Sequence, residues 1–137
     1  MYYKKFKELN EDIISIRKSV FEKEQGFQNE FDEIDHQNCS HIVLYDNEKP
    51  IAVCRFFEKN GIYHIGRVAI VKEYRGKHLG NHILHIAEDE IKKEGGQNIT
   101  VSAQVRVKDF YYKNGYSEAG EIFFDEYCEH INMIKQI

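Results

Sequence analysis

Apolar residues along the chain fall into short alternating runs and longer helical ones, and these mark out the elements. Tyr2 to Phe6 reads as a first strand. Asn10, followed by Glu11 and Asp12, starts a helix ahead of Ile13, Ile16, Val20 and Phe21 that should run to about Gly26. The acidic, aperiodic stretch 27–40 reads as loop or short helical turn. His41 to Tyr45 and Ile51 to Phe57 are strands, and Asn60-Gly61 is a hairpin turn into a third run from Ile62 to Val71. Leu79, Ile83, Ile86, Ala87 and Ile91 then recur at helical spacing until Gly95-Gly96 ends the helix, while His78, His82, His85 and Asp89 fall on the opposite side. Ile99 to Ala103 is a strand, Val107 to Asn114 a short helix closed by Gly115, and strands follow near Ile122 to Phe124 and His130 to Ile134. No repeat, linker or low-complexity tract interrupts the order. It predicts one α+β domain over residues 1–137, with a mixed central sheet, an antiparallel first half and flanking helices.

The junction between Val71 and the helix at Leu79 carries the first chemical signal. It reads Tyr74-Arg75-Gly76-Lys77-His78-Leu79-Gly80-Asn81: a basic, glycine-containing loop opening directly into a helix. The first N–H groups of a helix lack internal partners and the helix dipole favours negative charge there, so residues 75–81 are suited to an anion, with Arg75 and Lys77 adding full charges. A diphosphate would use such converging donors. Neither a P-loop nor a G-x-G-x-x-G dinucleotide motif is present.

Composition narrows the classes. With 42% hydrophobic residues and nine Phe plus nine Tyr, the chain can bury a full core. Its net charge of −4 argues against general nucleic-acid binding, which needs a basic surface. No apolar run approaches the ~20 residues of a membrane span, and Met1 to Phe6 lacks the apolar stretch of a signal peptide, so a cytosolic location is the expectation. Cys39, Cys54 and Cys128 are scattered and without C-x-x-C pairing, which predicts reduced thiols, with Cys54 a core residue and the other two more open. The His78, His82, His85 and Asp89 stripe reads as a wet surface, and no metal site is expected.

Two motifs carry a family resemblance. Arg75-Gly76-Lys77-His78-Leu79-Gly80 is similar to the Q/R-x-x-G-x-G/A signature of the GNAT acetyltransferase superfamily, and Asp109-Phe110-Tyr111-Tyr112-Lys113-Asn114-Gly115-Tyr116 to its late F-Y-x-x-x-G-F/Y segment. Within that superfamily the chain resembles a bacterial subgroup marked by Val20-Phe21-Glu22-Lys23-Glu24-Gln25, an acidic stretch ending in Asp35 and His41, Gly66 to Ile70, and a late His130 before Met133. One position departs: His78 stands where the family has its first motif glycine, which lets backbone approach the diphosphate closely.

The resemblance implies acetyl-CoA as cosubstrate and a primary amine as acceptor, a small cationic molecule or a protein lysine, acetylated by direct attack in a ternary complex. The alternative is a non-catalytic acyl-CoA-binding sensor. The cofactor-binding set it implies is Val68, Ile70 and Val71, whose strand would meet the pantetheine arm and the acetyl carbonyl, together with Arg75, Gly76, Lys77, His78, Leu79, Gly80 and Asn81 at the diphosphate. Tyr111 matches the family's proton donor to the departing thiolate. For the base, Glu24 comes first, because its spacing from Val20 puts it on the helix's inward side, and His41 second. Asp35, His41 and His130 are expected at the acceptor pocket, with the acids of 22–35 attracting a cation. An exposed strand edge near the C-terminus makes a homodimer an option.

Overall fold

The computed structural model describes residues 1–137. Its elements in chain order are β1 (Tyr2–Phe6), α1 (Glu11–Arg17), β2 (Cys39–Asp46), β3 (Lys49–Lys59), β4 (Ile62–Ile70), α2 (Leu79–Lys93), β5 (Asn98–Gln104), α3 (Lys108–Lys113), β6 (Ser117–Glu118), β7 (Phe123–Asp125) and β8 (Cys128–Gln136). They form one sheet in the order β1-β2-β3-β4-β5-β8-β6, with β7 also on β8. Every pairing is antiparallel except β4 with β5, so the antiparallel first half and mixed sheet read from the sequence are both present. The C-terminal edge is less open than expected, because β8 is lined by the short β6 and β7 and by the Ala119 N–H, which donates to the Asn132 carbonyl.

Strand alternation divides the core between the two faces. Ile42, Leu44, Ala52, Cys54 and Phe56 pack with Ile83, Leu84, Ala87 and Ile91 of α2 and with Tyr111 of α3. Val43, Tyr45, Val53 and Ala69 point the other way, against Ile13, Ile16, Val20 and Phe21. Asn10 caps α1 as its sequence position required, its side chain accepting from the Ile13 N–H at 3.0 Å. Beyond Arg17 the helix widens into a π-helical turn, Lys18–Glu24, in which the Gln25 N–H donates to the Val20 carbonyl five residues back. Cys39, expected to be a little more open than Cys54, is fully buried at the start of β2. No helix is long and apolar enough to cross a membrane.

Candidate active site

The parallel pairing of β4 with β5 stops early. It runs from Tyr63↔Ile99 to Ile65↔Val101, and the adjoining β3–β4 pairing shifts register between Val53 and Arg55. At this bulge Arg67 takes a left-handed backbone, φ 53°. Past it the two strands diverge, and the β5-facing backbone of the end of β4 has no strand partner. Ser102 is exposed between the buried Val101 and Ala103, on the face of β5 turned away from α2. The wedge so opened is a cavity of about 180 Å³, with Gly66, Arg67 and Val68 on one wall and Ser102, Gln104 and Arg106 on the other. Asn29 and Glu30, the β7–β8 turn (Asp125 and Glu126), Tyr111 and His130 complete it.

A second cavity of about 220 Å³ lies against Ile70, Tyr74 to Gly76, His78 to Asn81 and Phe110. Val68 and Ile70 sit two apart on β4, and Phe110 and Tyr111 are neighbours on α3, so the two cavities lie end to end. This second space is the predicted anion loop. Gly76 (φ 80°) turns the chain, and His78 keeps the left-handed conformation a glycine would adopt, φ 60° and ψ 23°, immediately before α2. A β-carbon on Gly80 would stand 3.1 Å from the Phe110 ring, so this glycine is what lets α3 close the groove. Arg75 is engaged: its Nε donates to the Ile70 carbonyl at 3.0 Å and its Nη1 stands 2.8 Å from Glu24. Lys77 lies over the Tyr74 ring, and the Val71 N–H is taken by the Ile51 carbonyl, so neither lines the cavity. Asn81 accepts from the Asn114 amide, tying α2 to the end of α3.

Tyr111 is buried at the junction of the two cavities, edge-on to Phe110 and Tyr116. Burial pushes its phenol far above the ordinary value, so it holds its proton. The hydroxyl has no protein partner and is not sealed from solvent, which leaves it free to donate into the wedge. Tyr112 points outward and is exposed. His130 is held between Phe27 and Phe123. Its Nδ1 lies 3.0 Å from the Cys128 carbonyl, which can only accept. Nδ1 therefore carries the hydrogen, and Nε2 is the ring nitrogen left without a protein partner and open to the pocket.

Three expected acceptor-site residues stand elsewhere. Glu24 is exposed and paired with Arg75, because the i→i+5 winding of the π turn gives the position beneath Val20 to Gln25, and it is Gln25 that faces the cavity. Asp35 is fully buried, accepting from Arg17 at 2.7 and 3.2 Å, from Arg55 at 2.8 Å and from the Asp32 N–H at 3.0 Å. These bonds overcome burial and hold its carboxyl well below the usual range. His41 is buried beneath it, donating from Nε2 to the Asp35 carbonyl at 3.3 Å, and burial lowers its pKa.

The sequence reading missed the network that contains Asp35. Arg17 donates to Glu30 (2.7 Å), Arg55 to Asp32 (2.7 Å), and Arg67 meets Glu30 (3.0 Å) and Asp32 (3.4 Å). Arg17 at the inward spacing beside Ile13 and Ile16, and Arg55 inside the apolar run 51–57, were the available signals: a charge in a core position needs a buried partner.

Residues 8–137 match the family described as an acetyltransferase (GNAT) domain. An uncharacterized N-acetyltransferase of Bacillus subtilis, YjcF, is 32% identical over 127 residues, covering 90% of each chain. A supposed N-acetyltransferase of Lactobacillus plantarum, known from its crystal structure, superposes with a TM-score of 0.90 at 25% identity, over 98% of this chain and 97% of its own. The PaiA N-acetyltransferase of Thermoplasma acidophilum, crystallised with coenzyme A, shares the fold at a TM-score of 0.74 and 17% identity over the whole of both chains. The match runs from before α1 to the last residue, and the chain belongs to the GNAT acetyltransferase family, as an acyl-CoA-dependent N-acetyltransferase.

Proposed function

We propose that the chain transfers an acetyl group to the primary amine of a small acceptor by direct attack within a ternary complex, with Tyr111 as donor to sulfur and His130 as base. Acetyl-CoA supplies the acetyl thioester. The cradle fits its diphosphate: free helix N–H groups, a glycine turn with open space at Gly76, and the Arg75 and Lys77 charges beside it. In this reading the unpartnered end of β4 bonds the pantetheine arm and polarises the acetyl carbonyl.

The observation that carries the reading is the hydroxyl of the buried Tyr111, unbonded and open to the wedge near the point where the cradle meets it. The acceptor nitrogen forms the new N–C bond as the C–S bond breaks. Its proton passes to Nε2 of His130, and negative charge gathers on sulfur. A phenol raised by burial is a weaker acid than a thiol, so Tyr111 acts first as a hydrogen-bond donor to that charge. The proton from the amine then balances the thiol product. Glu24, paired on the outside with Arg75, is better suited to tune the cofactor loop than to act as base. A cytosolic setting is consistent with this chemistry, and a homodimer is compatible with it.

The test is Tyr111→Phe, assayed by release of CoA thiol with the best acceptor from a panel of amines. A hydrogen bond to developing charge is worth ~1.5–3 kcal/mol, so kcat should fall roughly 10–100-fold while thermal stabilisation by acetyl-CoA persists. An unchanged kcat would remove Tyr111 from the mechanism.

A further inference from the structure

The sequence argument for a cationic acceptor rested on the acids between Glu22 and Asp35, and the fold neutralises the central ones. Glu24 pairs with Arg75, Glu30 with Arg17 and Arg67, Asp32 with Arg55 and Arg67, and Asp35 with Arg17 and Arg55. Glu126, which does face the wedge, spends its carboxylate on the Gln28 and Asn29 N–H groups at 2.8 to 3.1 Å. Asp125 is the wedge acid left without an ion-pair or hydrogen-bond partner.

The opposite walls hold one unpaired guanidinium and a free donor on a second. Arg106 has no carboxylate within ion-pair range, and only its Nε is engaged, by the Gln104 side chain at 2.9 Å, so both Nη groups are free. Arg67 donates through Nε and Nη2 and keeps Nη1 free. Ser102 adds a hydroxyl on the Arg106 side. The space of about 180 Å³ equals about six waters at ~30 Å³ each, the scale of a small molecule.

We infer that the acceptor is a small amine that itself carries an anionic group, an amino-acid-like molecule. Arg106 and Arg67 receive the anion, and His130 and Asp125 face the amine. This rests on the wedge being the acceptor site. A guanidinium fork binds a planar carboxylate through two parallel bonds, so Arg106 is the specificity-determining residue and acts on binding rather than on the chemical step.

The experiment compares acceptors that differ only in the anion: α-amino acids against their carboxamides, with diamines and a lysine peptide alongside, each read by CoA release from the intact protein with acetyl-CoA. The acids should exceed their amides at least tenfold in kcat/KM. Arg106→Gln, at an exposed and unpaired side chain, should remove that margin by raising KM for the acids at least tenfold more than for the amides, and Arg106→Glu should turn the preference toward diamines. Diamines or the lysine peptide reacting faster with the native protein, or Arg106→Gln weakening acid and amide alike, would overturn the anion assignment while the transferase reading stood. Stabilisation by acetyl-CoA with no release for any amine would overturn both.

Discussion

Replacing His78 by glycine should stabilise the protein and leave its cofactor site intact or improved. His78 occupies φ 60° and ψ 23°, where an L-residue carries ~1–2 kcal/mol of steric cost and glycine almost none. Its imidazole is exposed and makes no hydrogen bond, so truncation forfeits no contact. Glycine loosens the unfolded chain, which returns ~0.4–1 kcal/mol, and the net expectation is about 0.5–1 kcal/mol of stabilisation. For a domain of this size that raises the unfolding midpoint by roughly 2–4 °C. Calorimetry gives the midpoint, and titration gives the affinity for acetyl-CoA, which should hold or tighten because the N–H groups opening α2 lose a β-carbon beside them. A lower midpoint would refute the strain argument. A raised midpoint with affinity down more than threefold would show that the imidazole itself holds phosphate.

Glu24→Gln releases Arg75 from an exposed ion pair worth at most ~1 kcal/mol, so acetyl-CoA should bind up to ~5-fold tighter with little change in stability, and weaker binding would mean that the pair positions Arg75 instead. Asp35→Asn leaves Arg17 and Arg55 short of a buried counter-charge and should cost ~3–5 kcal/mol, a midpoint drop of roughly 10–20 °C; a loss under ~1 kcal/mol would contradict the network. Acid titration of stability should follow the depressed carboxyls. Glu90, bonded by Lys5 and Tyr3, is lowered to about 2, and Asp35 is also lowered. Their contribution is complete above about pH 5 and is lost progressively as the pH falls from there toward 2 and below, with Glu30, raised by burial, working the opposite way; stability flat from pH 5 to 2 would count against this.

Nearly every element was legible because its signal is local. The Asn10 cap, the Asn60-Gly61 turn, the helical spacing from Leu79 to Ile91 and the closing Gly115 each follow from a few neighbouring residues. The cradle at 75–81 was legible for the same reason, and Tyr111 through the family motif. The wedge was harder because it is assembled from residues far apart in the chain. A single extra residue per turn in the π segment exchanges the directions of Glu24 and Gln25, and no periodicity argument at 3.6 anticipates that. The acidic run 22–35 looked like a charged pocket because its partners, Arg17, Arg55 and Arg67, lie on α1, β3 and β4.

That network accounts for the shape of the site more than for its stability. A largely buried set of three guanidiniums and three carboxylates, with Arg67 and Asp32 half-buried at its rim, gains little net free energy over an apolar core, since desolvation offsets most of the attraction. Its geometric demands are strict, however, and they fall on the bulge. Arg67 holds a left-handed backbone that costs a non-glycine residue of order 1–3 kcal/mol, and such a conformation persists only if its surroundings over-determine it. The Arg67 side chain meets the Glu30 carbonyl, the Glu30 carboxylate and Asp32, while Arg55, at the register shift across β3 and β4, binds Asp32 and Asp35. The segment 30–35 therefore clamps both strands at the point where β4 leaves β5. The charges hold the bulge, the bulge turns β4 aside, and the divergence of the strands makes the wedge into which Tyr111 and His130 open.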